Sequence, residues 1–123
     1  EMVPKHVELQ KLVKNSRYLS SLLIGLIKGD RELVRMGLND DIVEKAREPL
    51  FPYYSKLKEV TLNHNAIGAC VSGAGPTIAV FVDEKSDKAQ IIKDGLKICE
   101  SYGYECSVKE AKIARGAWVE GRD

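Results

Sequence analysis

Hydrophobic and polar residues follow two different periods along this chain, and the change of period predicts where helices give way to strands. Between residues 5 and 28 the apolar side chains recur every three or four positions, as they do on one broad face of a helix: Leu9, Leu12, Val13, Leu19, Leu22, Leu23, Leu26 and Ile27. Gly29 is expected to end this helix, and Asp30 is expected to cap a second one over residues 31–38.

The next part of the chain continues in the helical period. A short helix is predicted over residues 40–47 and a longer one over 53–64. Asn65 stands where a helix commonly ends in the left-handed conformation. A further helix is predicted to begin at Ser86 or Asp87 and to end before Gly103.

Strand patterns fill the rest of the chain. Residues 66–71 and 78–82 are short apolar runs bounded by Gly and Pro, which is typical of strands in a covered sheet. In residues 104–108 apolar and polar side chains alternate, which predicts a half-buried strand. Residues 112–119 are predicted to form the last strand.

This order of elements predicts an α+β fold. A helical block is followed by helix, strand, strand, helix, strand and strand, which places helices on one face of an antiparallel sheet. The core of the pattern resembles a ferredoxin-like split βαβ sandwich with an extra N-terminal helical block. The length of 123 residues fits one domain over residues 1–123.

Composition narrows the functional class. The net charge is +1, so charge gives no argument for binding nucleic acid or a membrane surface. No apolar run approaches the roughly 20 residues of a spanning helix. The two histidines, His6 and His64, are too few and too isolated to suggest a metal site. Cys70, Cys99 and Cys106 lack metal-site spacing, so we expect reduced, buried cysteines in a cytoplasmic protein.

Two stretches have residues that suit chemistry. Ser72–Thr77 (Ser-Gly-Ala-Gly-Pro-Thr) joins two predicted strands; by itself it is more simply a hairpin corner than an anion-binding loop, because it lacks the Lys of a P-loop. Asp40, Glu44 and Arg47 share one helical face. Alone, this arrangement is more simply a solvated Glu44–Arg47 ion pair than a carboxylate-binding site built around Arg47.

Together these stretches carry a more specific signal. Residues 39–50 (Asn-Asp-Asp-Ile-Val-Glu-Lys-Ala-Arg-Glu-Pro-Leu) and 68–77 (Gly-Ala-Cys-Val-Ser-Gly-Ala-Gly-Pro-Thr) resemble the C-terminal half of the homoserine kinases, a branch of the GHMP small-molecule kinase superfamily. The likeness extends from about Pro4 to Val119. Asn65 replaces a common Gly, which a left-handed cap tolerates, and Lys45 stands where the family often has Pro, so the short helix is expected to begin differently.

The resemblance implies a reaction and a set of site residues. Such kinases transfer the γ-phosphoryl of ATP, with Mg²⁺, to the side-chain hydroxyl of L-homoserine in threonine biosynthesis. It implies that Arg47 binds the substrate carboxylate and that Asp40 and Glu44 are structural and orient Arg47. The resemblance also implies a glycine-rich loop that lies beside the transferred phosphate and supports the nucleotide loop. This loop consists of Ser72, Gly73, Ala74, Gly75 and Thr77. No catalytic or metal-binding residue is assigned in this chain.

The resemblance also implies that the complete enzyme has an N-terminal domain in addition to this chain. The family's nucleotide loop and magnesium ligands belong to an N-terminal domain whose motif does not occur here, so we expect this chain to be the C-terminal domain of a longer protein and to be inactive alone. A homodimer is compatible with the family. The alternatives are a GHMP kinase acting on shikimate or mevalonate, or a non-catalytic module that binds amino acids.

Overall fold

The helices and strands follow the predicted order as far as residue 101. A computed structural model describes residues 2–117 and 119–121. Its elements are α1 (Leu9–Lys28), α2 (Arg31–Gly37), α3 (Val43–Arg47), a 3₁₀ turn (Glu48–Leu50), α4 (Tyr54–Asn63), β1 (Gly68–Val71), β2 (Ile78–Phe81) and α5 (Lys88–Ser101). The α+β class and the N-terminal helical block are confirmed.

The first two helices form a close pair. Gly29 ends α1 in the left-handed conformation (φ 68°), and the Asp30 carboxylate accepts a hydrogen bond from the N–H of Leu33 at 3.1 Å, as a helix cap does. The helices can cross closely because Gly37 has no side chain: a Cβ there would lie 2.5 Å from the Cα of Leu22. Helix α1 begins at Leu9, one turn later than predicted.

The two central strands form an antiparallel hairpin. β1 pairs with β2 with Gly68 opposite Phe81 and Val71 opposite Ile78, which confirms the strands predicted over 66–71 and 78–82. Asn65, just before β1, is in the predicted left-handed conformation (φ 63°). Helices α2 and α4 contact β1, and α5 contacts α4. The core between these elements contains Phe51, Tyr53, Tyr54, Leu57 and Ile98.

Two arginines of α2 attach the helical block to the hairpin. Arg35 donates hydrogen bonds to the carbonyl oxygens of Ala66 and Ile67, at 2.9 Å each. Arg31 donates to the carboxylate of Asp83, just after β2, at 2.7 Å. Burial alone would raise the pKa of Asp83, but the hydrogen bonds from Arg31, the Lys85 N–H and Ser86 hold this pKa below its usual value. The entrance and the exit of the hairpin are thus bound to the same helix.

The two strands predicted after α5 are wrong for the described residues. Residues 104–117 have no regular secondary structure. Tyr104, Val108 and Ile113 are 45%, 51% and 90% exposed, so the alternating apolar side chains cover no sheet face. Within the described part of the chain the sheet has two strands, and none of these residues pairs with it. Trp118, in the predicted strand over 112–119, lies outside the described residues.

The cysteines differ from one another in exposure. All three are free thiols. Cys99 is buried and Cys70 is half-buried, and burial raises the pKa of both. Cys106 is exposed, so the expectation that it is a buried packing residue is wrong. It lies in the segment that was expected to be a strand and does not pair with the sheet.

Candidate functional site

A cavity of about 200 Å³ lies between α1, α3 and the end of the hairpin. It brings together the two stretches that the sequence singled out, since Arg47 and Gly73 both line it. Its other walls include Leu22, Asn39, Asp40, Glu44, Phe51 and Cys70. Its volume is below the roughly 300–1,000 Å³ of pockets for drug-sized ligands, so it suits a small molecule.

Asp40 fixes the start of α3. Its carboxylate accepts hydrogen bonds from the N–H groups of Ile42 (2.8 Å), Val43 (2.9 Å) and Glu44 (3.3 Å) and from the side-chain amide of Asn15 in α1 (2.8 Å). Burial opposes ionisation, but these hydrogen bonds prevail and lower the pKa of Asp40. Asp40 therefore holds α3 against α1 as an ionised cap, which is the geometry of a structural residue.

Glu44 is the unusual carboxylate of the site. Its Oε1 is buried and has no hydrogen-bond partner in the part of the chain that the structure describes. Burial raises the pKa of Glu44, and the neighbouring Tyr54 hydroxyl and Lys58 ammonium only partly oppose this. The hydroxyl of Tyr54 donates to the carbonyl of Ala69 at 3.1 Å, so its proton is already engaged. A polar atom left unpaired beside a cavity is costly unless something binds it.

Arg47 is the last residue of α3 and lines the same cavity. Its side chain is half-buried, and its guanidinium makes no hydrogen bond or ion pair with the residues described here. In particular, the ion pair with Glu44 that helical spacing suggested does not form. A planar guanidinium with free donors at a cavity wall can take a carboxylate in two parallel hydrogen bonds.

The glycine-rich loop closes the hairpin. The Ser72 N–H donates to the Thr77 carbonyl at 2.8 Å, and the Gly75 N–H donates to the Ser72 carbonyl at 3.1 Å. Gly73 and Gly75 have positive φ values of 60° and 82°, which favour glycine. Within the described residues the N–H groups of Gly73 and Ala74 have no backbone acceptor, and both residues are exposed. The loop is therefore a hairpin corner that also presents free donors.

Two aromatic residues of the core, Phe51 and Tyr53, contact this loop. Gly75 lies against the ring of Phe51, whose Cε1 would be 2.7 Å from a Cβ at this position. The hydroxyl of Tyr53 donates to the carbonyl of Pro76 at 3.3 Å. The absence of a side chain at Gly75 thus lets the loop rest on the core, which fixes Gly73 at the cavity wall.

The structure brings together only part of the expected site. Asp40, Glu44, Arg47 and Gly73 line the cavity, whereas the other predicted loop residues do not: Ser72, Ala74, Gly75 and Thr77. The binding role of Arg47 and the role of the loop remain predictions. Sequence reasoning missed Asn15, whose side-chain amide donates to Asp40, and Phe51, whose ring lies against Gly75. Neither residue has a local sequence signal, because each acts on a segment distant in the chain.

The described residues contain no group of three or more His, Cys, Asp or Glu side chains placed to hold a metal ion. Among the described helices, none combines the length and apolar character needed to cross a membrane.

Comparison with known families agrees with the fold. Residues 22–100 match the family model described as GHMP kinases C terminal. Because the match covers more than half of the chain, the chain belongs to the GHMP kinases and corresponds to the C-terminal part of that family. The resemblance seen in the sequence is confirmed, and so is the fold class.

Relatives of high identity within that family include homoserine kinases. The chain is 68% identical over 123 residues to the homoserine kinase of Sulfurisphaera tokodaii and 71% identical over 120 residues to that of Sulfolobus acidocaldarius, covering 40% and 39% of those proteins. It is also similar to the crystal structure of homoserine kinase from Cytophaga hutchinsonii, with a TM-score of 0.72 and 28% identity over 82% of this chain and 32% of that one. The chain thus spans about 40% of the length of the curated relatives that it matches.

Proposed function

We propose that this chain is the C-terminal domain of a homoserine kinase, which transfers the γ-phosphoryl of ATP to the side-chain hydroxyl of L-homoserine. The high identity to proteins named homoserine kinase supports this choice and does not favour shikimate or mevalonate as the substrate. The observation that carries the proposal is the unpaired guanidinium of Arg47 on the wall of a small cavity beside the glycine-rich loop.

In this proposal Arg47 binds the carboxylate of homoserine. The guanidinium is held on α3, and the cap at Asp40 fixes the start of that helix. Because α3 is attached to α1 through Asn15, Arg47 is positioned before the substrate arrives. A preorganised carboxylate contact fixes the substrate hydroxyl in one direction, and phosphoryl transfer depends mainly on such positioning.

The glycine-rich loop would act on the phosphoryl group. The free N–H groups of Gly73 and Ala74 are donors that suit the oxygens of a transferring phosphate or of the nucleotide-binding loop. Ser72 and Thr77 bring hydroxyl groups to the same loop, and Gly75 keeps the loop seated on Phe51. The loop therefore supports the reaction centre in the proposal without being a nucleophile or a base.

ATP and Mg²⁺ require another part of the protein. The family name implies the use of ATP, but a cavity of about 200 Å³ does not fit a nucleotide, and no metal-binding cluster occurs among the described residues. We therefore propose that an N-terminal domain, corresponding to the rest of the relatives' length, binds both. This domain is the partner of the present chain in a cytoplasmic enzyme, and a homodimer of the intact protein remains part of the proposal.

The decisive experiment is the Arg47→Ala substitution in the intact polypeptide. Loss of a desolvated bidentate carboxylate contact costs about 2–4 kcal/mol, so kcat/KM for homoserine should fall by about 30-fold to 1,000-fold. Lys45→Ala is the matched control, because Lys45 lies on the same short helix, is exposed and does not line the cavity. An unchanged KM for homoserine in Arg47→Ala would show that Arg47 does not bind the substrate.

Two further measurements test the assignment itself. A panel of homoserine, shikimate and mevalonate should give ATP-dependent phosphorylation of homoserine alone. The 123-residue chain by itself should give none, because the nucleotide site is elsewhere. Turnover by the isolated chain would contradict the division of the active site between two domains.

A further inference from the structure

Within the described residues, the outward face of α1 is an apolar surface that no other helix or strand covers. Helix α1 packs on α2 through one side only, and on the opposite side its apolar side chains are between 43% and 84% exposed. With 3.6 residues per turn these residues fall within an arc of about 160°. We define the α1 outer face as Leu9, Leu12, Val13, Leu19, Leu23, Ile24, Leu26 and Ile27.

The α1 outer face carries no charge. The residues that lie between its apolar side chains are Ser16 and Ser20, whose hydroxyls donate to helix carbonyls at 3.0 and 2.9 Å. The charged residues of α1 lie outside the arc: Lys11, Lys14, Arg17 and Lys28. A contiguous apolar face of this kind, bordered by charged residues, is typical of a surface that is covered by another polypeptide.

The position of this face indicates which polypeptide covers it. Leu22, next along the helix surface to Leu19, lines the cavity that contains Arg47. A domain placed on the α1 outer face would therefore lie close to the rim of that cavity. The curated relatives are about two and a half times as long as this chain, which covers 40% of them and matches the C-terminal part of the family.

We infer that the α1 outer face is the docking surface for the N-terminal domain of the same polypeptide. This inference rests on the proposed function, in which such a domain precedes the chain. That domain would precede α1 in the same polypeptide, so its effective concentration at α1 is high, whereas a second copy of the chain must arrive by diffusion. Docking there buries the apolar face and brings the nucleotide-binding domain to the edge of the Arg47 cavity in one step.

The experiment measures the accessibility of the face in the intact polypeptide. Single cysteines are introduced as Leu23→Cys and as Ile27→Cys, with Cys106→Ser as the background because Cys106 is an exposed thiol. Lys11→Cys is the control, since Lys11 is an exposed residue of the same helix outside the arc. Labelling by a maleimide is followed by mass spectrometry over a dilution series that extends to concentrations where the intact protein is a monomer, without ATP or substrate.

The expected result is labelling at least tenfold slower at Leu23→Cys and Ile27→Cys than at Lys11→Cys. Equal rates at the three positions would overturn the inference. Protection that disappears on dilution together with a dimer would also overturn it, because a second copy would then be the occupant. Circular dichroism of each variant establishes that it is folded, and the two probes make the result independent of either substitution.

This result is separate from the test of the proposed function. The labelling rates do not depend on which substrate the enzyme phosphorylates. Protected cysteines in a protein without homoserine kinase activity would therefore support the docking surface and contradict the proposed substrate. Freely labelled cysteines in an active homoserine kinase would support the proposed function and contradict the docking surface.

Discussion

Gly75→Ala should destabilise this chain much more than Gly73→Ala, although both glycines belong to the same loop and both have positive φ. An alanine in the left-handed region costs about 1–2 kcal/mol at either position. At Gly73 nothing lies within 4 Å of the added Cβ, so this cost is the whole effect. At Gly75 the Cβ would also meet the ring of Phe51, with Cε1 at 2.7 Å.

The additional cost at Gly75 comes from overpacking. Inserting a methyl group into a filled site costs about 1–3 kcal/mol, because Phe51 is buried in the core and its ring has little room to move. The expected loss of unfolding free energy is therefore about 2–5 kcal/mol for Gly75→Ala and about 1–2 kcal/mol for Gly73→Ala. With a urea m-value of about 1.5 kcal/mol/M, the midpoints should move by about 1.3–3.3 M and 0.7–1.3 M.

Urea unfolding followed by circular dichroism measures both values. Phe51→Leu in the Gly75→Ala background provides the internal check, since a smaller side chain should relieve the contact and make the double variant more stable than the sum of the two single effects. Equal destabilisation by Gly73→Ala and Gly75→Ala, or strict additivity with Phe51→Leu, would show that the ring does not limit the loop.

Three further predictions concern the helices and carboxylates. Gly37→Ala should lower the unfolding free energy by about 3 kcal/mol in thermal or urea unfolding, because its Cβ would overlap α1. Gly95→Ala should raise the unfolding free energy by about 0.5–1 kcal/mol, because its Cβ would lie at an ordinary contact distance of 3.4 Å from Leu57 and alanine favours the helix. Asp40→Ala should cost about 1–2 kcal/mol at pH 7 through loss of the cap. Since folding lowers the pKa of Asp40, the stability difference between wild type and Asp40→Ala should be present above pH 3.8, the ordinary pKa, and shrink as the pH falls through the folded pKa. A difference in urea midpoint that does not change with pH would contradict this prediction. Because burial raises the pKa of Glu44 above 4.5, the wild-type chain should lose stability relative to Glu44→Gln as the pH rises through the folded value. The urea midpoint of Glu44→Gln minus that of the wild type should therefore be larger at pH 7 than at pH 4, and the same difference at both pH values would refute this.

The parts of the fold that sequence predicted well are those determined within a few residues. Gly29 and Asn65 end helices in the left-handed conformation, and Asp30 caps α2, because each acts on neighbours along the chain. The alternation in residues 104–108 predicted a strand that does not form in the described residues. A period of two shows which side chains would share a face, but a strand also needs a hydrogen-bonding neighbour.

The candidate site also combines features that local sequence predicts with features that depend on long-range packing. The shared face of Asp40, Glu44 and Arg47 was visible in the spacing, and all three line one cavity. The unpaired Oε1 of Glu44 and the amide of Asn15 on Asp40 were not visible, since they depend on how α1 packs against the start of α3. Long-range packing of this kind has no signature in a single local pattern.

The arginines of α2 have a consequence for how this chain opens. Arg35 occupies the carbonyls of Ala66 and Ile67, and Arg31 holds Asp83 on the other side of the hairpin. A two-stranded hairpin is only marginally stable by itself. Separation of the hairpin from α2 would break both attachments and expose those carbonyls together. We therefore expect the amides of α2 and of β1 to exchange with deuterium at a common rate, as one cooperative unit, while the exposed segment after α5 exchanges independently.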